Sequence, residues 1–140
     1  MYYIFYFLHM TYNDKINKTE TLNFESSPLT GGASLSYQNL YVLTSGNTAS
    51  ASEIVINCLK PYMEGRLYQV GAATFGKNVA QQLFTNAEAP GVELWLTTTY
   101  LSNSQGYYDY FKNGLLPDFE IEENYGAELG DFGSAEDQLM

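Results

Sequence analysis

The sequence has one cysteine, one histidine, six basic residues and no long apolar run, and each shortage removes a class of protein. A single thiol, Cys58, excludes an intrachain disulfide framework. With His9 as the sole imidazole, a zinc centre of the usual type lacks ligands, so neither a metal nor a cofactor is expected. The six bases are scattered along a chain of net charge −10. A field of that sign repels a phosphate backbone, and nucleic acid is not an expected partner. The apolar opening "MYYIFYFLHM" runs for about eight residues where roughly twenty cross a bilayer. It has neither the cationic start nor the small-residue cleavage site of a signal peptide, so no membrane span is expected.

What is present suffices for one folded domain. A chain of 140 residues, 45% apolar and 16% aromatic, can bury a core. Its acidity is local: Asp118 to Met140 hold eight carboxylates and no base, while the rest has eight acids against six bases. The chain therefore divides into a body, residues 1–124, and an acidic, loosely ordered tail, residues 125–140.

Residues 2–8 read as a strand from their Tyr, Phe and Ile content, and Thr21–Phe24 as a second. "SSPLTGGAS", with Pro28, Gly31 and Gly32, reads as a loop. Leu40–Thr44 is a short apolar run bounded by turn residues, the pattern of a buried strand. Ile54, Val55, Cys58 and Leu59 then recur at helical spacing, which predicts a helix from near Ser50 to Lys60, before Pro61. Strands are expected at Leu67–Val70, Val79–Phe84 and Gly91–Thr98, the last burying Val92, Leu94 and Leu96 while Glu93, Trp95 and Thr97 face out. Asn103–Gly106 reads as the turn of a further hairpin and Asn113–Gly114 as another turn. The order strand, helix, strand, with more strands after it, favours an α/β or α+β fold.

Two stretches carry chemistry, "NTASASE" at 47–53 and "TFGKNVAQQ" at 74–82. Ser50-x-x-Glu53 fits a capping box, which stabilises a helix start by about 1 kcal/mol. The same position suits a nucleophile, because amides at a helix N-terminus stabilise an oxyanion and Ala49 and Ala51 leave room for a substrate. The stretch from Gly71 to Lys77 also matches the phosphate loop G-x-x-x-x-G-K, although Asn78 stands where that loop needs Ser or Thr for Mg²⁺. The S-x-x-K, S-D-N and K-T-G spacings of penicillin-binding enzymes are absent.

Taken together, "TASASEIVINCLKPY" and "VGAATFGKNVAQQ" resemble the C-terminal processing, or tail-specific, serine peptidases. That family's pattern is S-A-S-A-S-E at a strand-to-helix turn, then V-G-x-x-T-x-G-K, then Gln four residues after the lysine; here Thr48 replaces the first serine. The likeness continues through "LTTTYLSNSQGYYDYFKNGLLPDFEIEEN" to "LGD" at 129–131, and so covers most of residues 40–131.

The resemblance implies a Ser/Lys pair with Ser50 as nucleophile, Lys77 as base and Gln81 orienting that base. The Ala51 amide is the candidate donor for one half of the oxyanion hole. Lysine serves as a base only when neutral; "TFGKNVAQQ" contains no acid, and Phe75 is apolar. If 77, 79 and 81 lie on one strand they share a face, and Gln81 offers a neutral amide to the amine.

The implied fold is ClpP/crotonase-like, built of β-β-α spiral elements. The family's D-L-R-x-N-x-G-G segment, whose glycine supplies the other oxyanion amide, does not occur, and Gly31-Gly32 does not match it. The chain reads as the C-terminal portion of a catalytic domain without a peptide-recognition (PDZ) domain. The implied substrate is a polypeptide cut near its C-terminus, in a periplasmic or other extracytoplasmic compartment. Self-association is expected to cover strand edges around residues 2–8 and 40–44. The rival reading is a non-catalytic binding or oligomerisation module on a peptidase-like fold.

Overall fold

The computed structural model describes residues 6–24, 38–86, 88–127 and 130–139. The expected loop "SSPLTGGAS" and Leu129 of "LGD" lie outside these residues, as does the first part of the strand expected at 2–8. Seven strands and one α-helix follow in the order β1 (Tyr6–Tyr12), β2 (Thr19–Asn23), β3 (Leu40–Thr44), α1 (Ala51–Leu59), β4 (Leu67–Gly71), β5 (Val79–Thr85), β6 (Glu93–Ser102) and β7 (Phe119–Glu120). One sheet has the order β2-β1-β6-β5, the other β3-β4-β7. The pairings in the first are antiparallel and those in the second parallel. No helix among the described residues is long and apolar enough to cross a membrane.

The β3–α1–β4 crossover sets the site. Leu40 to Thr44 pair in parallel with Leu67 to Gly71, so a connection must cross from one end of the sheet to the other, and α1 makes it. The helix stops where expected, and its last residues tighten into a 3₁₀ turn, Lys60–Tyr62, with Pro61 in its first turn, where the missing N–H is harmless.

α1 lies between the two sheets. Ile56 packs with Leu67, Tyr110 and Leu115, while Cys58 packs with Leu8 and Leu101. Burying a side chain such as Ile56 contributes about 2–3 kcal/mol. The buried face is not the purely apolar one the periodicity predicts. Val55 is exposed and Asn57 is buried, its Nδ2 donating to Tyr107 O at 3.0 Å and its Oδ1 accepting from Asn103 Nδ2 at 3.1 Å.

Three other expectations are corrected. Within the described residues β1 is an interior strand flanked by β2 and β6 and presents no free edge, while β3 lies at a sheet edge. Asn103–Gly106 forms a turn, with Gly106 N–H bonded to Asn103 O at 2.9 Å, but residues 106–118 form no strand and no hairpin results. The face of β6 expected to be buried is open: Val92, Leu94 and Leu96 are about as exposed as Trp95. Leu83 pairs with Trp95 and Phe84 with Leu94, so the outer halves of β5 and β6 form a two-stranded arm that is apolar on both faces. In the acidic tail, residues 125–127 and 130–139 contain turns and no helix or strand.

Candidate active site

The turn between β3 and α1 is fastened to the segment that follows β4. Thr44 Oγ1 donates to Ala72 O at 2.7 Å, and Thr44 O accepts from Ala72 N–H at 2.9 Å. Thr48 O takes the Phe75 N–H at 2.9 Å. Two loops distant in sequence thus run side by side beyond the carboxyl ends of the parallel strands, where α/β sheets place their sites.

Ser50 is the helix N-cap, with φ 57° and ψ −116°. An ordinary N-cap sits in the β region; a non-glycine residue at this φ and ψ stores about 1–3 kcal/mol of strain. Capping alone therefore does not account for the conformation. Ser50 and Glu53 have the capping-box arrangement, but the formed hydrogen bond is the return one, Ser50 N–H to Glu53 Oε2 at 2.7 Å. Ser50 Oγ faces the Glu53 N–H as a capping box requires, short of full hydrogen-bond geometry, and donates to no acceptor among the described residues. A serine on a strained strand-to-helix turn, its hydroxyl uncommitted, has the geometry of a nucleophile elbow. Ala51 N–H has no acceptor among the described residues, which leaves it free to meet an oxyanion.

Glu53 is fully buried and accepts four hydrogen bonds. Oε1 receives Thr74 Oγ1–H at 2.5 Å and Gly76 N–H at 2.6 Å. Oε2 receives Lys77 N–H at 2.8 Å in addition to Ser50 N–H. Such saturation makes a buried charge tolerable. From sequence Glu53 belongs to the helix start alone, because three of its four donors lie 21 to 24 residues away along the chain. The phosphate-loop reading fails on the same bonds. The amides of Gly76 and Lys77 are engaged by a carboxylate, and the loop leads into β5 rather than into a helix.

Gly76 and Gly114 make the close packing behind this loop possible. Gly76 has φ 91°, and a Cβ there would come within 2.7 Å of Tyr110 O and Lys112 N; at Gly114, φ 71°, a Cβ would overlap Thr74 O. Thr74 Oγ1 also accepts Leu115 N–H at 2.7 Å. Gln69 Nε2 donates to Leu115 O at 2.8 Å, and Asp118 Oδ2 takes the Gln69 N–H at 2.8 Å. The "NG-x-x-PD" segment is thus a brace for β4 and the lysine loop.

Lys77 is half-buried and Gln81 exposed. The lysine lies before β5 rather than on it, so the shared strand face expected for 77, 79 and 81 begins only at 79. Ala80 pairs with Thr99 but Gln81 with Thr97, which leaves Thr98 as a bulge. Phe75 is 62% exposed and does not seal the lysine from water. The expectation of no acid near Lys77 is also corrected, since Glu53 reaches its backbone. Among the described residues the Lys77 amine forms no ion pair, and it makes no hydrogen bond with Ser50 Oγ or Gln81. The structure thus joins Ser50 and Lys77 through their backbones, with Gln81 further along β5. A cleft of about 890 Å³ beside the lysine loop is lined by Asn78, Val79, Tyr100, Tyr108 and Phe111 among others, and Ser50 is not part of its wall.

Two buried weak acids lie at α1, the Cys58 thiol on the helix and the Tyr110 phenol packed against it. Burial pushes the Cys58 thiol up to about 11. Burial, and then the charge of Glu53, pushes the Tyr110 phenol up as well; its OH has no partner among the described residues.

The profile of peptidase family S41 matches residues 6–121. A carboxyl-terminal-processing protease of Synechocystis sp. is 34% identical over 84 residues, 60% of this chain and 18% of that protein. A Bacteroides fragilis protein assigned as an S41 protease superposes with a TM-score of 0.72 at 32% identity, over 84% of this chain and 30% of that one. The photosystem II D1 C-terminal processing protease has a TM-score of 0.59 at 22% identity, over 85% of this chain and 28% of that one, a likeness of fold. The chain spans less than a third of the length of each of these three.

Proposed function

The chain belongs to peptidase family S41, and from that premise we propose that it carries the Ser/Lys pair of a serine endopeptidase cutting polypeptides near their C-termini. The observation that carries the reading is the strained Ser50 elbow, tied through one carboxylate oxygen to the backbone of Lys77. In this mechanism Ser50 Oγ attacks the scissile carbonyl while the neutral Lys77 amine takes its proton. The Ala51 N–H donates to the oxyanion, Lys77 returns a proton to the leaving amine, and water then releases the acyl-enzyme with Lys77 again as base. Gln81 orients the amine through its amide oxygen. The missing Ser50–Lys77 hydrogen bond is compatible with this, since such contacts tighten when substrate binds. The β3–α1–β4 unit is read as one turn of a ClpP/crotonase-like spiral, with the second oxyanion donor supplied from outside this chain.

The rival, a non-catalytic module, draws on the apolar β5–β6 arm, a surface of the kind that docks partners. Turnover of an unstructured polypeptide separates the two. Loss of one oxyanion donor costs roughly a hundredfold to a thousandfold. The 140-residue chain should therefore cleave that much more slowly than a version extended upstream through a D-L-R-x-N-x-G-G segment, with both rates abolished by Ser50→Ala. An extended chain with no turnover that depends on Ser50 leaves the module reading standing.

A further inference from the structure

We infer that Glu53 is a positioning residue of the active site whose two carboxylate oxygens have separate tasks, Oε2 setting the nucleophile and base residues against each other and Oε1 holding the base loop. The inference rests on the peptidase reading. A helix-start glutamate needs one acceptor bond to its own N-cap. Glu53 makes that bond and three more, each to the segment Thr74–Lys77. The two donors on Oε2 are the amides of Ser50 and Lys77 themselves. A single acceptor atom thus fixes how far apart the two residues begin, before either side chain chooses a rotamer.

The carboxylate is fully buried, so its donors lose their acceptor if it is removed, and a water admitted to the space is not anchored to α1 and does not fix their separation. The strained φ at Ser50 is held at its N–H by this same oxygen; without that tether the turn is free to relax to the unstrained cap geometry, carrying Oγ with it. Reactions of this kind lose about a hundredfold in rate for a displacement near 1 Å.

The chemistry of the two oxygens supplies the test. In Glu53→Gln, an amide group placed at Oε2 would point donors at two N–H groups. Placed at Oε1, it meets one N–H, of Gly76, and a hydroxyl, of Thr74, that can turn to accept. Glutamine therefore keeps its oxygen on Ser50 and Lys77. Glu53→Ala keeps neither.

In the full-length protein, Glu53→Ala is expected to lower kcat about a hundredfold with KM within about twofold, and Glu53→Gln to stay within about tenfold of the parent in kcat. Hydrogen exchange on the 140-residue chain provides a readout independent of activity. In Glu53→Ala the amides of Ser50 and Lys77 should lose protection together while those of Ile56 and Asn57 keep theirs; in Glu53→Gln all four should stay protected. A Glu53→Ala variant with kcat within threefold of the parent overturns the proposal. Equal losses in the glutamine and alanine variants overturn the division between the oxygens. A parent with no Ser50-dependent turnover defeats the peptidase reading instead, and the exchange pattern then decides whether Glu53 couples the two loops. If the alanine variant does not fold, the glutamine variant decides by both readouts.

Discussion

Replacing Ser50 by glycine should remove activity and leave the protein more stable than replacing it by alanine. Ser50 holds φ 57° and ψ −116°, a conformation costing about 1–3 kcal/mol for a residue with a Cβ. Alanine keeps the Cβ and so keeps the strain. Glycine adopts positive φ freely but loses more backbone entropy on folding, about 0.5–1 kcal/mol. The difference is a net advantage of roughly 0.5–2 kcal/mol for Ser50→Gly over Ser50→Ala. Relative to the parent, alanine should cost at most about 1 kcal/mol, because the approach of Ser50 Oγ to the Glu53 N–H falls short of a full hydrogen bond. A plain N-cap predicts another pattern: alanine costs about 1 kcal/mol and glycine a few tenths, both destabilising. Urea titration of the three proteins, with slopes compared to exclude a change in the unfolded state, distinguishes the cases. A glycine variant less stable than both the serine and alanine forms would refute the claim that the elbow is strained.

Lys77→Arg should be as inactive as Lys77→Ala, because arginine keeps the charge but does not release a proton near neutral pH; turnover near the parent rate would end the general-base assignment. Gly114→Ala should destabilise by about 3 kcal/mol or more or prevent folding, since the new methyl overlaps Thr74 O, and a thermal midpoint unchanged from the parent would contradict the packing described. For Cys58 the folded pKa is raised from 9.0 to about 11. The associated stability is whole below pH 9 and lost as pH rises through 11, so unfolding free energy should fall by up to about 2–3 kcal/mol across that window. Cys58→Ala should remove that fall, leaving only the further loss due to Tyr110, whose shift acts in the same direction.

Local signals were legible where one physical rule acted alone. Leu40–Thr44 is a five-residue apolar run between turn residues and is β3 residue for residue, but it is not the buried strand that the run predicts, since Tyr41 and Leu43 are exposed at the outer strand of its sheet. Pro61 ends α1 as its ring requires. β6 misleads because Val92, Leu94 and Leu96 alternate as a half-buried strand does, while none of the described residues covers that face and Trp95 is apolar on the other. Asn57 was missed because hydrophobic spacing does not register a polar side chain that is buried with its bonds made. Ser50 and Lys77 were picked out by motif. Glu53 was not given its weight, because its meaning lies in four donors that only the folded chain brings to one point.

The brace formed by residues 110–118 has a bearing on when this site can exist. Thr74 is held by Leu115, Gln69 by Asp118, and Gly76 lies against the backbone at 110–114. Synthesis proceeds from the N-terminus at about 5–20 residues per second, so Ser50 and Lys77 emerge from the ribosome seconds before the segment that steadies the loop between them. During that interval the helix and the parallel strand pair can form, but the lysine loop has no backing. If the chain carries the proposed Ser/Lys pair, that pair stays unarmed toward its own nascent chain until the segment ending at Asp118 has emerged and packed.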